Sequence, residues 1–438
     1  MDPLTLGALV GLSTIFVLFS GVSVGVGLLI VSGGFLVVFD GMRSLELMPE
    51  LFFSKLDSFA LLSIPMFIIM GSSIASTRAG ADLYEALERW LTRIPGGLVI
   101  SNLGACALFA AMSGSSPATC AAIGKMGIPE MLKRGYPEGI ATGSIAAGGT
   151  LGILIPPSVT MIVYGVATET SIERLFLAGV FPGLLLVGLF MAWSLYATWR
   201  SGNAAVLTPR EYTWREKFEI LPRVLPFVAI IAGVLYTMYG GVATPSETAA
   251  VGAILCLLVA IVIYRLWDIR KIWMILQDST RESVMILFII AAAGVFSYML
   301  SSLSITQSIA EWIGTLDVNP WILMICVNIF LIIAGFFLPP VAVILMAAPI
   351  LLPIITTAGF DPIWFAVILT INMEIGLISP PVGLNLYVIN GIAPDISLRT
   401  ILIGSLPFVG CMLLAIVLLC FFPGIATWLP EAVMGPRF

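Results

Sequence analysis

The chain reads GLISPPVG at residues 376–383 and GILIPPS at residues 152–158, and each stretch interrupts an otherwise apolar span. Proline lacks a backbone N–H and its ring clashes with the preceding helical turn, so each proline pair breaks a helix. A break leaves carbonyl groups without helical partners, and lipid cannot hydrogen-bond to them. We therefore expect both breaks to face protein or a wet cavity rather than lipid.

The composition is that of a helical membrane protein. Of the 438 residues, 59% are hydrophobic and 10% are charged, and the mean hydropathy is +1.09. Soluble domains carry about 25% charged residues. At about 20 apolar residues per crossing, the sequence predicts an all-α polytopic membrane protein with about ten transmembrane helices.

Composition also excludes several classes of function. The chain contains no histidine, which rules out a His-ligated haem, a His zinc site and a Ser-His or Cys-His nucleophile pair. Its net charge of −5 is spread over short loops, without the basic patch that nucleic acid requires. We therefore predict neither an enzyme nor a nucleic-acid partner, and no organic cofactor or transition metal.

The two halves of the chain match at an offset of 224 residues. The spacing from the first matched proline to the proline pair is 27 residues in each half. Five positions of the first half (Pro129, Gly135, Gly152, Pro156, Pro157) fall on five of the second (Pro353, Gly359, Gly376, Pro380, Pro381). An internal repeat containing broken helices is typical of secondary transporters, and the breaks indicate the binding site.

Two charge-poor stretches are unsuited to simple spans and are predicted to form re-entrant hairpins. Residues 94–124 contain SGSSP at 113–117, and residues 318–360 contain a proline pair at 339–340. These poor helix formers would place open backbone in the middle of the bilayer unless protein covers them. With two hairpins, each half crosses the membrane an odd number of times, so the second repeat is inverted.

The predicted domain boundaries follow from this pattern. The first repeat spans residues 1–199, a cytoplasmic connecting loop spans 200–222, and the second repeat spans 223–438. The first repeat comprises scaffold helices 1–77, an interfacial arm 78–93, a hairpin 94–132, a broken helix 138–168 and a helix 173–199. The second comprises scaffold helices 223–300, an arm 304–316, a hairpin 318–358, a broken helix 361–392 and a helix 399–422.

The distribution of lysine and arginine predicts how the chain is oriented in the membrane. Sixteen of the 20 basic residues fall on one face, which the positive-inside rule places in the cytoplasm, with both termini outside. If the first hairpin is instead drawn as a membrane-crossing span, fifteen basic residues fall on one face and five on the other, and the two sides of the membrane are exchanged. The distribution of charge alone therefore does not decide whether this segment is re-entrant.

Freed carbonyls and neighbouring hydroxyls form a hard, oxygen-only pocket that suits Na⁺. The cation-binding residues predicted on this basis lie in the hairpin tips and breaks: Ser113, Gly114, Ser115, Ser116, Gly152, Leu154, Pro156, Gly335, Leu338, Gly376, Ile378, Ser379 and Gly383. Helix N-termini at the hairpin turns favour an anionic substrate, and Ser158 and Asn385 are the predicted substrate contacts. Intramembrane Glu374 is interpreted as a proton carrier or an ion-pair partner, and Glu247 as an acid at a helix start.

Several motifs together resemble the large membrane subunit of tripartite ATP-independent periplasmic (TRAP) transporters. The resemblance covers nearly the whole chain. It rests on the segments 113–119, 152–158, 241–250, 335–338, 349–353 and 372–386. Two positions depart from the usual pattern: Pro339 replaces an acidic residue at the second hairpin tip, and Ser379 replaces a threonine.

The resemblance implies a sodium-coupled importer of an organic acid, such as a C4-dicarboxylate, sialic acid or another sugar or keto acid. It further implies a periplasmic substrate-binding protein, a separate small four-helix membrane subunit and an inner membrane of a bacterium or archaeon. The domain with both hairpins would move against a scaffold in an elevator motion.

Three other functions stay open at this point. A stand-alone sodium- or proton-coupled symporter of the dicarboxylate or gluconate type would share the inverted repeats and need no binding protein. A channel or passive scaffold would retain the duplication without coupled transport. A membrane-embedded enzyme or electron-transfer subunit is disfavoured by the lack of histidine and of paired membrane carboxylates.

Overall fold

The computed structural model describes residues 2–91, 96–201, 212–315 and 319–436. Within these ranges the chain forms helices and turns without any strand, which confirms the predicted all-α class. Six of the described helices are long and apolar enough to cross a bilayer, and one bent pair of helices supplies a seventh span. Six shorter apolar helices have 10–17 residues, and four of these belong to hairpins or broken helices. The chain is therefore a polytopic membrane protein.

Four helices begin the first half: α1 (Pro3–Phe19), α2 (Val24–Phe39), α3 (Ser44–Leu56) and α4 (Ser63–Ala75). Helix α1 starts where the Asp2 carboxylate accepts a hydrogen bond from the Thr5 backbone N–H at 3.4 Å. The chain then turns back at residues 20–23, where Gly21 has a φ of 86° that favours glycine. Helices α3 and α4 meet at an angle of 62°.

The amphipathic helix α5 (Ala79–Leu91) leads to a hairpin made of α6 (Gly97–Ser113) and α7 (Ser116–Lys133). A broken helix follows, with α8 (Glu138–Thr150) before the break and α9 (Val159–Thr168) after it. The long helix α10 (Ile172–Arg200) completes the first half. Residues 92–95, where the predicted arm and hairpin meet, lie outside the described residues.

The connection between the halves is described from residue 212 onward, so residues 202–211 of the predicted loop lie outside the described residues. Helix α11 (Trp214–Glu219) starts at a capping box formed by Thr213 and Glu216. It packs on α5, because the Lys217 ammonium lies over the Trp90 ring at 5.7 Å from the centroid.

The second half contains ten helices in its described part. They are α12 (Leu221–Tyr239), α13 (Pro245–Val262), α14 (Ile269–Ser302), α15 (Ile305–Thr315), α16 (Pro320–Gly335), α17 (Pro340–Thr357), α18 (Pro362–Leu377), α19 (Leu384–Ile392), α20 (Leu398–Phe421) and α21 (Gly424–Met434). The Glu247 carboxylate accepts a hydrogen bond from the Thr244 N–H at 2.9 Å in a capping box, which confirms its predicted place at a helix start. Residues 316–318 and 437–438 lie outside the described residues.

Helix boundaries in the two halves correspond at the offset of 224 residues. The first hairpin helices, shifted by 224, fall at 321–337 and 340–357, close to α16 and α17. The correspondence fails at α14, whose single helix matches the bent pair α3 and α4. Asp57 and Ser58 interrupt the first-half pair, whereas the matching part of α14 continues as one helix.

The broken helices occupy the core of the molecule. Every residue of α8 from 141 to 150 and of α18 from 363 to 377 is buried. Helix α8 packs closely on α20, since a Cβ on Gly143 would lie 2.1 Å from the Gly404 carbonyl oxygen. Small residues allow such close backbone approach between membrane helices. The first proline pair, Pro156 and Pro157, is buried as well, whereas Pro380 and Pro381 of the second break are exposed at the surface.

An ion-pair network joins α5 to the end of the first hairpin. The Arg134 guanidinium pairs with Glu88 of α5 and, at 2.9 Å, with Glu130 of α7. The Tyr212 hydroxyl donates a hydrogen bond to the Glu88 carboxylate at 3.1 Å. Burial lowers the pKa of Arg134, but the Glu88 and Glu130 carboxylates outweigh burial and raise this pKa above its ordinary value. The Arg134 guanidinium therefore stays protonated at neutral pH.

Candidate functional site

The first break lies between α8 and α9. A short turn of 3₁₀-helix, Leu151–Ile153, follows α8, and Pro156 and Pro157 then keep the chain non-helical until Val159. Prolines cannot donate the hydrogen bonds that would continue the helix. The Ser158 hydroxyl donates to the Ile153 carbonyl at 2.5 Å and accepts from the Met161 N–H at 3.3 Å.

This break contacts the first hairpin tip through backbone. A Cβ on Gly152 would lie 2.9 Å from the Ser115 carbonyl oxygen and 3.1 Å from the Ser116 nitrogen. On the other side of the break, the Pro157 carbonyl oxygen would lie 3.2 Å from a Cβ on Gly114. Tip and break therefore form one unit, in which polar main-chain groups of both elements come together.

The second break repeats this arrangement with an even closer contact. A Cβ on Gly376 would lie 2.3 Å from the Gly335 carbonyl oxygen and 2.5 Å from its carbonyl carbon. Gly335 is the last residue of α16, at the start of the second hairpin tip. The sequence predicted both glycines as members of one cation site, and the structure brings their backbones into contact.

Two of the predicted carbonyl ligands have other neighbours. The Ile378 carbonyl accepts a hydrogen bond from the Ser405 hydroxyl at 3.1 Å. The Leu154 carbonyl oxygen lies against α10, because a Cβ on Gly179 would be 2.5 Å from it. Pro157, which the sequence analysis did not select, has the carbonyl that faces the tip.

Both hairpin tips open into one cavity of about 600 Å³. Residues 113–118 of the first tip and 339–342 of the second line this cavity, together with residues from both breaks. The predicted ligands Ser113, Gly114, Ser115 and Ser116 thus reach the cavity. The predicted ligands of the second half, including Leu338, Ser379 and Gly383, lie beside it without lining it.

Four helix N-termini converge on the cavity. Its lining includes the first residues of α7, α9, α17 and α19: Ser116 and Pro117, Val159 and Thr160, Pro340 and Val341, and Leu384. No side chain caps the N-termini of α7, α17 and α19. A helix N-terminus carries about half a positive charge and presents free N–H groups. The main chain therefore contributes positive potential to the cavity, which favours an anion.

The scaffold helices close the opposite wall. Ile68, Gly71 and Ser72 of α4 line the cavity, and a Cβ on Gly71 would lie 2.5 Å from the Ser113 carbonyl oxygen. From α14, Glu282 is the single charged side chain among the described lining residues. Sequence reasoning missed this wall, because no local signal marks residues that only tertiary packing brings to the tips.

The two predicted substrate contacts lie behind the cavity wall. Asn385 is fully buried, and its amide donates to the Ser116 hydroxyl at 2.9 Å and to the Ala146 carbonyl at 3.4 Å. Ser158 is also fully buried, where it caps α9. Both side chains are next to the site, and a direct substrate contact stays a prediction.

Comparison with known proteins identifies the family to which the chain is similar. Residues 12–425 match the family model described as the tripartite ATP-independent periplasmic transporter, DctM component. The chain is 39% identical over 392 residues to the C4-dicarboxylate TRAP transporter large permease protein DctM of Pseudomonas aeruginosa, covering 90% of each chain. It is 30% identical over 422 residues to the sialic acid TRAP transporter large permease protein SiaM of Vibrio cholerae, covering 95% of this chain and 97% of that protein.

A solved structure supports the fold. The YdaH transporter of Alcanivorax borkumensis superposes with a TM-score of 0.68 at 16% sequence identity, covering 97% of this chain and 100% of that one. The relatives named above are transporter permeases rather than enzymes. The chain therefore belongs to the DctM component family of the tripartite ATP-independent periplasmic transporters.

Proposed function

We propose that this chain is the large membrane permease of a sodium-coupled importer for an organic acid, moving its substrate by an elevator mechanism. The observation that supports this proposal best is the convergence of four helix N-termini on one cavity whose described lining contains no lysine or arginine. Such a site binds a carboxylate through main-chain N–H groups and helix dipoles. The related permeases for C4-dicarboxylates and sialic acid also handle carboxylic acids.

Sodium is the proposed coupling ion, and one cation site is proposed in each half. In the first half, residues 113–116 of the tip would supply carbonyl and hydroxyl oxygens together with the break at residues 152–157, where the Pro157 carbonyl faces the tip. In the second half, Gly335 and Leu338 of the tip would act with residues 376–383 of the break. Oxygen-only sites favour hard cations such as Na⁺ over transition metals. A bound cation beside each tip would add positive charge for an anionic substrate.

The position of the cavity supports an inward-facing arrangement. Residues 23–25, at the turn between α1 and α2, line the cavity together with Glu282 in the N-terminal half of α14. The N-terminal end of α14 carries Arg270 and Lys271, and the positive-inside rule places this end in the cytoplasm. Both chain termini would then be periplasmic. In the proposed elevator motion, the two hairpins and broken helices move together across the scaffold.

The proposed partners follow from the tripartite family description. We propose a periplasmic binding protein that delivers the substrate, and a small four-helix membrane subunit, with the complex in the inner membrane of a bacterium or archaeon. The domain division proposed above, residues 1–199, 200–222 and 223–438, assigns one tip and one break to each repeat.

Reconstitution tests this proposal directly. The chain, its small subunit and the binding protein of the same system would be placed in proteoliposomes with radiolabelled succinate or sialic acid. We expect uptake only with an inward sodium gradient and with the binding protein present. Uptake by the chain alone would instead favour a stand-alone symporter, and uptake without sodium would contradict the coupling.

Removing the hydroxyl groups of the proposed sodium sites should weaken sodium dependence. Ser115 is the N-cap residue of α7 but makes no side-chain capping bond, so Ser115→Ala leaves the helix start unchanged. Losing one oxygen ligand costs about 1–2 kcal/mol. We expect Ser115→Ala and Ser379→Ala each to raise the half-saturating sodium concentration for uptake roughly fivefold to thirtyfold.

The control is Ser301→Ala, which removes an exposed hydroxyl near the end of α14. We expect its sodium dependence to match that of the wild type. An unchanged half-saturating sodium concentration in both site variants would exclude these hydroxyl groups as ligands.

A further inference from the structure

A group of buried oxygen atoms lies behind the first hairpin tip. Glu374 is fully buried, and neither of its carboxylate oxygens has a hydrogen-bond partner. The side-chain oxygen of Asn385 is also buried without a partner. Both side chains belong to the second half of the chain, yet both meet Ser116 of the first.

The contacts bring these atoms together around Ser116. The Asn385 amide donates to the Ser116 hydroxyl at 2.9 Å, which leaves its oxygen free for another partner. The Glu374 carboxylate faces the same hydroxyl and the main chain of Ile153 in the first break, without reaching hydrogen-bond geometry. Across the first break, Gly152 packs on the backbone of Ser115 and Ser116.

Glycine keeps this region open. A Cβ on Gly149 would lie 2.1 Å from the Cys120 sulfur, 3.1 Å from the Ser116 carbonyl oxygen and 3.4 Å from the Asn385 amide nitrogen. The space beside Ser116 therefore depends on the absence of a side chain on α8.

A buried carboxylate without a partner is unstable, because desolvation of the charge costs several kcal/mol unless an opposite charge compensates it. In the described residues, every salt bridge found involves an acid other than Glu374. Two carboxylate oxygens, an amide oxygen and a hydroxyl form a donor set for a hard cation. The opposite charge that this cluster lacks is therefore most simply a bound monovalent cation.

We propose that Glu374 provides the negative charge of the cation site at the first hairpin tip, with the Asn385 side-chain oxygen and the Ser116 hydroxyl as further ligands. This inference rests on the proposed sodium coupling and specifies which site binds sodium more tightly. The cation would link the two halves of the chain, since Glu374 and Asn385 belong to one half and Ser116 to the other.

The repeat makes the proposal asymmetric. At the offset of 224 residues the counterpart of Glu374 is Thr150, whose hydroxyl donates to the Ala147 carbonyl at 2.6 Å within its own helix. The second site therefore receives no carboxylate from the corresponding position. Coulomb attraction favours the first site, so sodium should occupy it at lower concentration than the second.

The test measures thermal unfolding of the purified complex in detergent at increasing sodium chloride, with choline chloride keeping the ionic strength constant. The wild type should gain stability in two phases as its sites fill. We expect Glu374→Gln to lose the phase at low sodium, with the half-saturating concentration rising at least tenfold. Without sodium, Glu374→Gln should be at least as stable as the wild type, because it removes an uncompensated charge.

Two variants make the result specific. Glu431→Gln removes an exposed carboxylate of α21, outside the cavity lining, and should keep both sodium phases. Glu374→Asp keeps the charge on a shorter side chain and should retain the low-sodium phase with an intermediate affinity. If Glu374→Gln fails to accumulate as folded protein, Glu374→Asp alone tests the proposal. A sodium titration of Glu374→Asp identical to that of the wild type would contradict the proposal.

The outcomes separate this inference from the proposed function. Sodium-driven uptake by the wild type, together with an unchanged sodium titration of Glu374→Gln, would overturn the role of Glu374 and leave the proposed function intact. A proton on the carboxyl group in place of the cation would give that same result. A wild type that neither gains stability from sodium nor requires it for uptake would contradict the proposed function itself.

Discussion

Gly376→Ala should reduce substrate uptake about a hundredfold in proteoliposomes. The added Cβ would lie 2.3 Å from the Gly335 carbonyl oxygen and 2.5 Å from the carbonyl carbon. Both atoms belong to backbone, so the second hairpin tip and the second break must separate to accept the methyl group. Overpacking of this kind costs about 1–3 kcal/mol, and 3 kcal/mol corresponds to a factor of about a hundred.

Two further glycine variants calibrate this result. Gly152→Ala places its Cβ 2.9 Å from Ser115 backbone and should lose uptake to a smaller extent. Gly410→Ala, in the membrane helix α20, meets nothing within 4 Å and should transport like the wild type. Size-exclusion profiles and unfolding temperatures would show that each variant is folded. Uptake by Gly376→Ala equal to that of Gly410→Ala would show that the tip and the break need not touch.

The breaks and tips could be predicted because their causes are local. Proline removes a backbone donor wherever it stands, so the pairs at 156–157 and 380–381 must interrupt a helix in any tertiary context. The turn at residues 113–116 likewise follows from a run of poor helix formers. Pairing each tip with the break of its own half required one more step, the internal repeat, and the contact of Gly152 with Ser115 agrees with that pairing.

The scaffold wall of the cavity could not be predicted in the same way. Glu282 lies in the amphipathic first part of α14, where a carboxylate resembles any solvated charge near a membrane surface. Gly71 of α4 is one of the 42 glycines in the chain, and the residues beside it in the sequence do not predict its contact with Ser113. The positions of Glu282 and Gly71 in the cavity wall depend on how the scaffold helices pack against the tips. No periodic pattern in the sequence predicts that packing.

For Asn385, the sequence predicted the position of the residue but not the contacts of its side chain. Its place just after a proline break predicted a substrate contact, and the residue does lie beside the candidate site. The direction of the side chain depends on α7 and α8, which supply Ser116 and the Ala146 carbonyl as its hydrogen-bond partners. Sequence position therefore located the residue, whereas long-range packing decides what it contacts.

Outside the site, the packing of the first hairpin against α5 depends on a charge pair. Glu88 is only 7% exposed, and its carboxylate pairs with the Arg134 guanidinium across 46 residues of sequence. Removing one partner of a buried pair leaves an uncompensated charge, which costs more than the pair itself contributes. The effect of a substitution here should therefore depend strongly on whether one or both charges are removed.

Arg134→Gln should lower the free energy of unfolding by about 3 kcal/mol, the lower end for breaking a buried pair, since Arg134 itself is partly exposed. Thermal unfolding of the purified complex would show the loss as a lower midpoint. The double variant Glu88→Gln with Arg134→Gln should recover most of it, because no buried charge is left unpaired and Glu130, which also loses Arg134, is partly exposed. Arg281→Gln is the matched control: its pair with Asp278 is exposed and spans 4.0 Å, so its effect should stay within about 0.5 kcal/mol. Equal effects of Arg134→Gln and Arg281→Gln would mean that the buried pair does not stabilise the hairpin.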